Sequence, residues 1–267
     1  MSNPWILVSP SSRGIGRHLT RHLLRTTTAP ILATSRSDTT AAKAHILASL
    51  LDAEDLAPRL KVVNIDVTHE GSIESAAEEA ATLFPQSTHH LRLALAIPGI
   101  LHPEKSPSQI DHDEALDTFR VNTLGQMMLM KHFSPFLPRK STNLDGGDGL
   151  PPAHAVWVAM SARVGSTSDN RKGGWYSYRA SKAGVNSLAK SLDLWLAARS
   201  GDKAMAVAYH PGTVKTGLSE KFWSTVPEGK LFEPEYAVER MCAVLTSGVG
   251  LEGRGRCWDW EGKEILP

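Results

Sequence analysis

Apolar positions along the chain follow two alternating rhythms. Short, nearly continuous aliphatic runs fall at residues 5–8, 30–34, 60–65, 91–97, 153–160, 204–209 and 255–258. Runs this short and this uniformly apolar predict strands covered on both faces. Between them the period lengthens: Ile15, Leu19 and Leu23 recur every four residues, Leu116, Phe119, Leu124, Met127 and Met128 trace a second helical pattern, and Val185, Leu188, Leu192 and Trp195 a third. Strands alternating with helices predict βαβ units, hence an α/β fold with a doubly wound, seven-stranded parallel sheet. No internal repeat, linker or break in composition divides the chain, so residues 1–267 are expected to form a single domain. The Gly/Asp-rich residues 143–149 lack the terminal Glu and regular ligand alternation of a calcium loop, and read as a helix-to-strand connection.

Composition narrows the partners. With 29 Lys and Arg against 28 Asp and Glu, the net charge is +1, which provides no broad basic surface for nucleic acid or an acidic membrane. Two cysteines, Cys242 and Cys257, make neither a disulfide framework nor a metal-ligand pair, so no metal is expected and a reduced, cytoplasmic setting fits. No apolar run approaches the roughly 20 residues of a membrane span, and no basic stretch precedes the first apolar run as in a secretion signal.

Chemistry begins directly after the first run, at Ser9-Pro10-Ser11-Ser12-Arg13-Gly14-Ile15-Gly16. A strand feeding a Gly-rich turn and then a helix gathers backbone N–H groups and the positive end of the helix dipole at one point, where a pyrophosphate can sit. The amides of Gly14, Ile15 and Gly16 are available for that role, whereas Pro10 has none to offer. A tight turn and close helix packing would use the same glycines without any ligand.

A phenol and an ammonium stand four residues apart at Tyr178 and Lys182, on one face of a predicted helix and about 6 Å from each other. A phenol with a pKa near 10 needs a neighbouring positive charge to take part in proton transfer at neutral pH. Lys182 can supply it. Tyr176, six residues before the lysine, is turned away.

Taken together, these segments resemble the short-chain dehydrogenase/reductase superfamily over nearly the whole chain, which implies a Rossmann fold. Residues 160–166, Asp169-Asn170, Gly173-Gly174 and residues 176–183 are most similar to its sniffer and C-factor-like carbonyl reductase branch. In the resemblance Ser9 stands for the Thr that opens the family's glycine turn, with Pro10 in place of the first glycine. Ser11, Arg13, Gly14, Ile15 and Gly16 complete the dinucleotide turn. Asp66-Val67 corresponds to the adenine-contacting pair, and Gly99 ends a fourth strand that reads Ala96-Ile97-Pro98-Gly99 where the family has Asn-Asn-Ala-Gly. At the end of the second strand a carboxylate would bind a ribose 2′-hydroxyl, but this chain has Thr34-Ser35-Arg36. Arg36 together with Arg13 therefore favours the 2′-phosphate, and NADP(H) as cofactor.

The resemblance also implies roles in catalysis. Asn122 would bind a water in a proton relay to Lys182, Tyr178 would protonate the carbonyl oxygen, and Lys182 would hold the ribose hydroxyls. A serine at the end of the fifth strand would hydrogen-bond the same oxygen. The family pattern is Ser-Ser, but here it reads Ser161-Ala162, leaving Ser161 as the nearest hydroxyl and Ser166 as the alternative. Pro211, Gly212, Val214 and Thr216 match the segment that holds the nicotinamide end, and residues 215–233, with Phe222 and Trp223, the variable substrate lid.

The expected function is thus an NADP(H)-dependent oxidoreductase acting on a small carbonyl or secondary alcohol, as a homodimer or homotetramer. A second reading, a dinucleotide-binding regulator on the same fold, draws on Pro10, Ala162 and the missing Asn-Asn. A hydrolase is not expected, because no Gly-x-Ser-x-Gly elbow occurs, and a zinc dehydrogenase is excluded by the lack of paired ligands.

Overall fold

A computed structural model of the protein describes residues 1–144, 150 and 154–267. Its strands are β1 (Asn3–Ser9), β2 (Ile31–Ser35), β3 (Leu60–Asn64), β4 (His89–Ala96), β5 (Ala155–Met160), β6 (Ala204–His210), β7 (Thr213–Val214), β8 (Leu231–Phe232), β9 (Cys257–Asp259) and β10 (Glu264–Ile265). The helices are α1 (Gly14–Thr26), α2 (Thr39–Leu47), α3 (Ala53–Leu56), α4 (Glu70–Leu83), α5 (His112–Phe119), α6 (Gly125–Phe133), α7 (Tyr176–Ser200) and α8 (Pro234–Ala243). One sheet runs in the order β3-β2-β1-β4-β5-β6-β9-β10, parallel except for β10, while β7 and β8 form a separate pair.

This is the expected doubly wound α/β sheet with eight strands in place of seven. The added strand is two residues long, too short to register as an apolar run. Strand order reverses between β1 and β4, whose ends are paired at Ser9 and Ala96. In open α/β sheets such a reversal opens a crevice at the carboxyl edge, where ligands bind.

Alternation along β1 sends Trp5 and Leu7 to one core with α4, α6 and α7, and Ile6 and Val8 to a second core with α1 and α8. Burial on both faces explains why the strands read as uninterrupted apolar runs.

The second helical pattern is a different object from the one its apolar stripe suggests. It is two helices joined by a π-helical turn over residues 120–124, and Leu116, Phe119, Leu124 and Met127 are exposed. The buried side carries Thr118, Asn122 and Gln126. Polar side chains lie inside because hydrogen bonds around the site receive them, and the tertiary context overrides the apolar period. Similarly, α7 buries Val185 and Leu192 but leaves Trp195 exposed, where the Arg199 guanidinium covers its ring at 4.9 Å.

The expected start of the fifth strand at Ala153, and most of the 143–149 connection, lie outside the described residues. Among the described residues, no helix is long and apolar enough to cross a membrane.

Candidate active site

The Gly-rich turn is stitched to the neighbouring strand. Ser11 donates its amide to the Thr34 carbonyl at 2.8 Å and its hydroxyl to the Val8 carbonyl at 2.6 Å, and the Thr34 hydroxyl donates to Ser9 Oγ at 2.9 Å. The hydroxyls of Ser9 and Ser11 are therefore wholly buried and shape the turn from beneath. Gly16 has a steric reason as well: a Cβ there would lie 1.9 Å from the Pro10 carbonyl oxygen. Gly14 adopts φ +53°, and α1 has neither a side-chain cap nor an acidic residue in its first turn. Its first amides, at Gly14, Ile15 and Gly16, form a positive end that nothing on the helix neutralises.

Other predicted residues converge on this edge. A Cβ on Gly14 would lie 3.6 Å from Thr216 Cγ2, so the segment after β7 comes over the turn. Arg13 and Arg36 are both exposed, and among the described residues neither has an ion-pair partner. The Arg36 backbone is held by Asn64, whose Nδ2 donates to its carbonyl at 3.1 Å. Burial works against ionisation of Asp66, but hydrogen bonds from the Thr68 hydroxyl and amide, with Arg36 nearby, hold its carboxyl below the usual range. Val67 packs against the start of α6, where a Cβ on Gly125 would stand 2.9 Å from its own Cβ.

The β4–β5 side of the crevice holds the side chains expected to act in catalysis. Lys182 and Asn122 are buried, and Tyr178 is nearly so. Lys182 Nζ lies 5.7 Å from the centre of the Tyr178 ring and donates to the Met160 carbonyl at 2.8 Å. Burial lowers the Lys182 pKa to about 7 and raises that of Tyr178 to about 12. The phenol therefore holds its proton at neutral pH beside an amine poised to change charge.

Asn122 sits in the π-helical turn, a distortion that recurs at functional sites. Its Oδ1 accepts the Ile100 amide at 2.8 Å, while Nδ2 donates to the Ile100 carbonyl at 3.0 Å and to Ser181 Oγ at 3.1 Å. Gln126 Nε2 donates to the Asn122 carbonyl at 3.2 Å and to the Met160 carbonyl at 3.0 Å. Met160 O thus receives both Gln126 and Lys182.

The hydroxyls of the two candidate serines are engaged by other groups. Ser161 donates its hydroxyl to Asn186 Oδ1 at 2.6 Å and is within 3.3 Å of the Lys182 carbonyl; Ser166 donates to the Leu266 carbonyl. Neither hydroxyl hydrogen-bonds Tyr178. Ala162 occupies the position where the resemblance places the second serine.

Residues 211–233, expected to hold the nicotinamide end and to form the substrate lid, follow β6. Gly212 has φ +77°, and a Cβ there would meet the Phe232 ring at 2.5 Å. Pro211 and Gly212 lead into β7, and Thr213 and Val214 pair with Leu231 and Phe232 of β8. Leu218 reaches over Gly99, where a Cβ would find Leu218 Cδ1 at 3.8 Å and Lys182 Nζ at 3.7 Å. Phe222 lies 5.0 Å from Trp175, whose indole meets Tyr178 edge-on at 6.1 Å. His210, before this segment, is pushed down to about 3, chiefly by burial and further by Arg163 and Lys182.

Sequence reasoning missed Gln126, Trp175, Asn186 and the buried Glu104, whose Oε1 accepts the Ser177 amide at 3.2 Å. For Gln126 a signal existed, since it follows Asn122 by one helical turn. For Glu104 there was none, because its partners are backbone amides.

The comparisons agree with this architecture. A family model described as enoyl-(acyl carrier protein) reductase matches residues 10–244. The chain is 30% identical over 179 residues, 66% of its length and 70% of the other's, to 1-hydroxy-2-glutathionyl-2-methyl-3-butene dehydrogenase of Rhodococcus sp.. Among solved structures, it superposes on an NADPH-bound carbonyl reductase from chicken fatty liver with a TM-score of 0.80 at 24% identity, and on the carbonyl reductase Sniffer of D. melanogaster with 0.78 at 23%, each covering 100% of both chains. The chain belongs to the short-chain dehydrogenase/reductase superfamily and is an oxidoreductase.

Proposed function

We propose that this oxidoreductase uses NADP(H) to interconvert a carbonyl compound and its alcohol, with Tyr178 as the proton donor and acceptor. The observation that carries the reading is the buried Tyr178–Lys182 pair at the mouth of the sheet crevice. The residues present fit the cofactor: uncapped amides at Gly14 to Gly16 suit a pyrophosphate, and the exposed Arg13 and Arg36 suit a 2′-phosphate. The NADPH-bound fold neighbour supports the same choice. When bound, NADPH would supply the hydride.

In the reductive direction the protein's part is proton transfer. Tyr178, its pKa raised to about 12 by burial, gives its proton to the carbonyl oxygen as hydride reaches the carbon, and the phenolate left behind is stabilised by protonated Lys182. Lys182 is fixed for this by Met160, and Asn122 holds the adjoining loop through Ile100. Trp175, Phe222 and Leu218 offer the substrate an apolar side, and the lid at residues 215–233 excludes water. The alternative regulator reading draws on Pro10, the missing Asn-Asn and Ala162, and on serine hydroxyls that bond Asn186 and Leu266.

Loss of absorbance at the nicotinamide band, followed with NADPH and a panel of aldehydes and ketones, tests the reaction. Tyr178→Phe is expected to abolish turnover while NADPH still raises the melting temperature as in the wild type. Wild-type rates in Tyr178→Phe would refute the assignment.

A further inference from the structure

Helix α7 carries both Tyr178 and Lys182, yet its own residues do not secure its start. The N-cap position is Trp175, in the left-handed region at φ 52°, ψ 46°, without a side-chain cap; the first turn has no acidic residue. Gly173 and Gly174 before it are also left-handed, at φ 63° and 66°. Three consecutive residues in this region bring the chain sharply into the helix, and an indole-bearing residue persists there only where surrounding contacts enforce it.

Those contacts converge on Glu104, in the segment that follows β4. Its carbonyl accepts the Trp175 amide at 2.6 Å, and a Cβ on Gly174 would lie 3.2 Å from the same oxygen. Its carboxylate Oε1 accepts the Ser177 amide at 3.2 Å. Ser177 is the second residue of the helix, the position whose free amide an N-cap side chain ordinarily receives. Glu104 is 3% exposed, and its Oε2 is buried with no partner. Burying a carboxyl group is costly, and here the positive end of a 25-residue helix and the Ser177 amide offset that cost.

We propose that Glu104 is the positioning residue of the catalytic helix: a cap supplied from 73 residues away that fixes the first turn, and with it the Tyr178 phenol, relative to Lys182. Tyr178 is the third residue of the helix, inside the turn Glu104 secures. Lys182, one turn further, is anchored independently by the Met160 carbonyl. Loss of the cap therefore moves the phenol and leaves the lysine. The same loop bonds Asn122 through Ile100, so one segment sets the phenol and the asparagine together. The inference rests on the role proposed above for Tyr178.

Two variants separate positioning from bulk stability. Glu104→Gln keeps an acceptor oxygen, whereas Glu104→Ala removes it. In Glu104→Ala, kcat for NADPH-dependent carbonyl reduction is expected to fall about tenfold to a hundredfold, the scale of a displaced reacting group, with KM and the NADPH-induced melting shift nearly unchanged. Glu104→Gln is expected to restore kcat to within about threefold. Amide hydrogen exchange, which needs no turnover, should be faster across residues 175–179 in Glu104→Ala, return to wild-type rates in Glu104→Gln, and be unaltered in α1. Should Glu104→Ala fail to fold, Glu104→Leu, which keeps the packing of the stem, takes its place. Unchanged exchange at 175–179 in the acceptor-free variant would overturn the cap. Faster exchange with wild-type kcat would overturn the positioning role, as would a Glu104→Gln enzyme no better than Glu104→Ala. A wild type that reduces no carbonyl would refute the proposed reaction and the positioning role with it, while the exchange data would still report on the cap.

Discussion

The two halves of the crevice are built on opposite principles. At the β1–β2 side, the groups proposed to hold the cofactor are backbone amides and two exposed guanidinium groups, Arg13 and Arg36, and the supporting hydroxyls of Ser9 and Ser11 are buried. At the β4–β5 side, the proposed reactive groups Tyr178 and Lys182 are buried, as are Asn122, Gln126 and Glu104 around them. A phosphate can be bound from solvent at little cost to the fold, because amides and arginines are satisfied by water until it arrives. Proton transfer needs a site from which water is excluded, where neighbouring dipoles act at full strength. Substitutions in the first half should therefore change cofactor affinity and spare stability, and those in the second should act on stability and turnover.

The largest departure is expected at Lys182. Its pKa is about 7 in the folded protein against 10.5 for the free side chain, so between those values the unfolded chain binds more protons and stability rises with pH. The rise approaches about 1.4 kcal/mol per pH unit where the difference in binding is complete. Tyr178 acts in the opposite sense: its pKa rises from 10.0 to about 12, so its contribution is lost as pH climbs through that window. Lys182→Met should remove the first component and be more stable than the wild type near pH 7, while carbonyl reduction falls by roughly two to four powers of ten. Urea unfolding of both proteins at pH 7, 8 and 9, without cofactor, measures the difference. Parallel pH dependences would mean that the amine is not buried as the structure places it.

A smaller effect, confined to affinity, is expected in the other half. Arg36→Asp replaces a partner for a 2′-phosphate with a repelling charge, and the preference for NADPH over NADH should shrink or reverse. One charge-assisted bond corresponds to about tenfold to a hundredfold in the ratio of affinities. Arg13→Ala should act in the same direction more weakly. Since both side chains are exposed, the melting temperature of the cofactor-free protein should scarcely move. Equal stabilisation of the wild type by the two cofactors would remove the argument for NADP(H).

The same division governs what could be read from the chain. Strands buried on both faces show as apolar runs, and the Gly-rich turn and the Tyr178–Lys182 spacing are local patterns, so each is visible without knowledge of the fold. Glu104 is invisible because it caps a helix through an amide, which any residue would provide. The α5–α6 stripe misleads, since its apolar side faces out and its polar side carries Asn122 and Gln126 inward. Ser161 is intermediate. Strand parity could have placed it: Ala159 belongs to the core shared with α7 and Met160 to the opposite one, so the next residue turns back toward α7, where Asn186 waits.

That parity leads to the smallest expected effect. Had Ser161 been the donor to the substrate oxygen, Ser161→Ala would lower turnover by roughly two to three powers of ten. With its hydroxyl held by Asn186 at 2.6 Å, the loss should instead appear as about 1 kcal/mol of stability, the ordinary worth of one buried hydrogen bond, with kcat changed only a few-fold. Asn186→Ala should produce a similar loss, and the double variant less than the sum, because both remove one interaction. Ala162→Ser tests the other side: a hydroxyl restored at the family's second serine position should raise kcat without altering the melting shift by NADPH. A hundredfold loss in Ser161→Ala, with stability unchanged, would show that the hydroxyl leaves Asn186 for the substrate when the cofactor is bound, and would make the catalytic half of the crevice more mobile than its burial suggests.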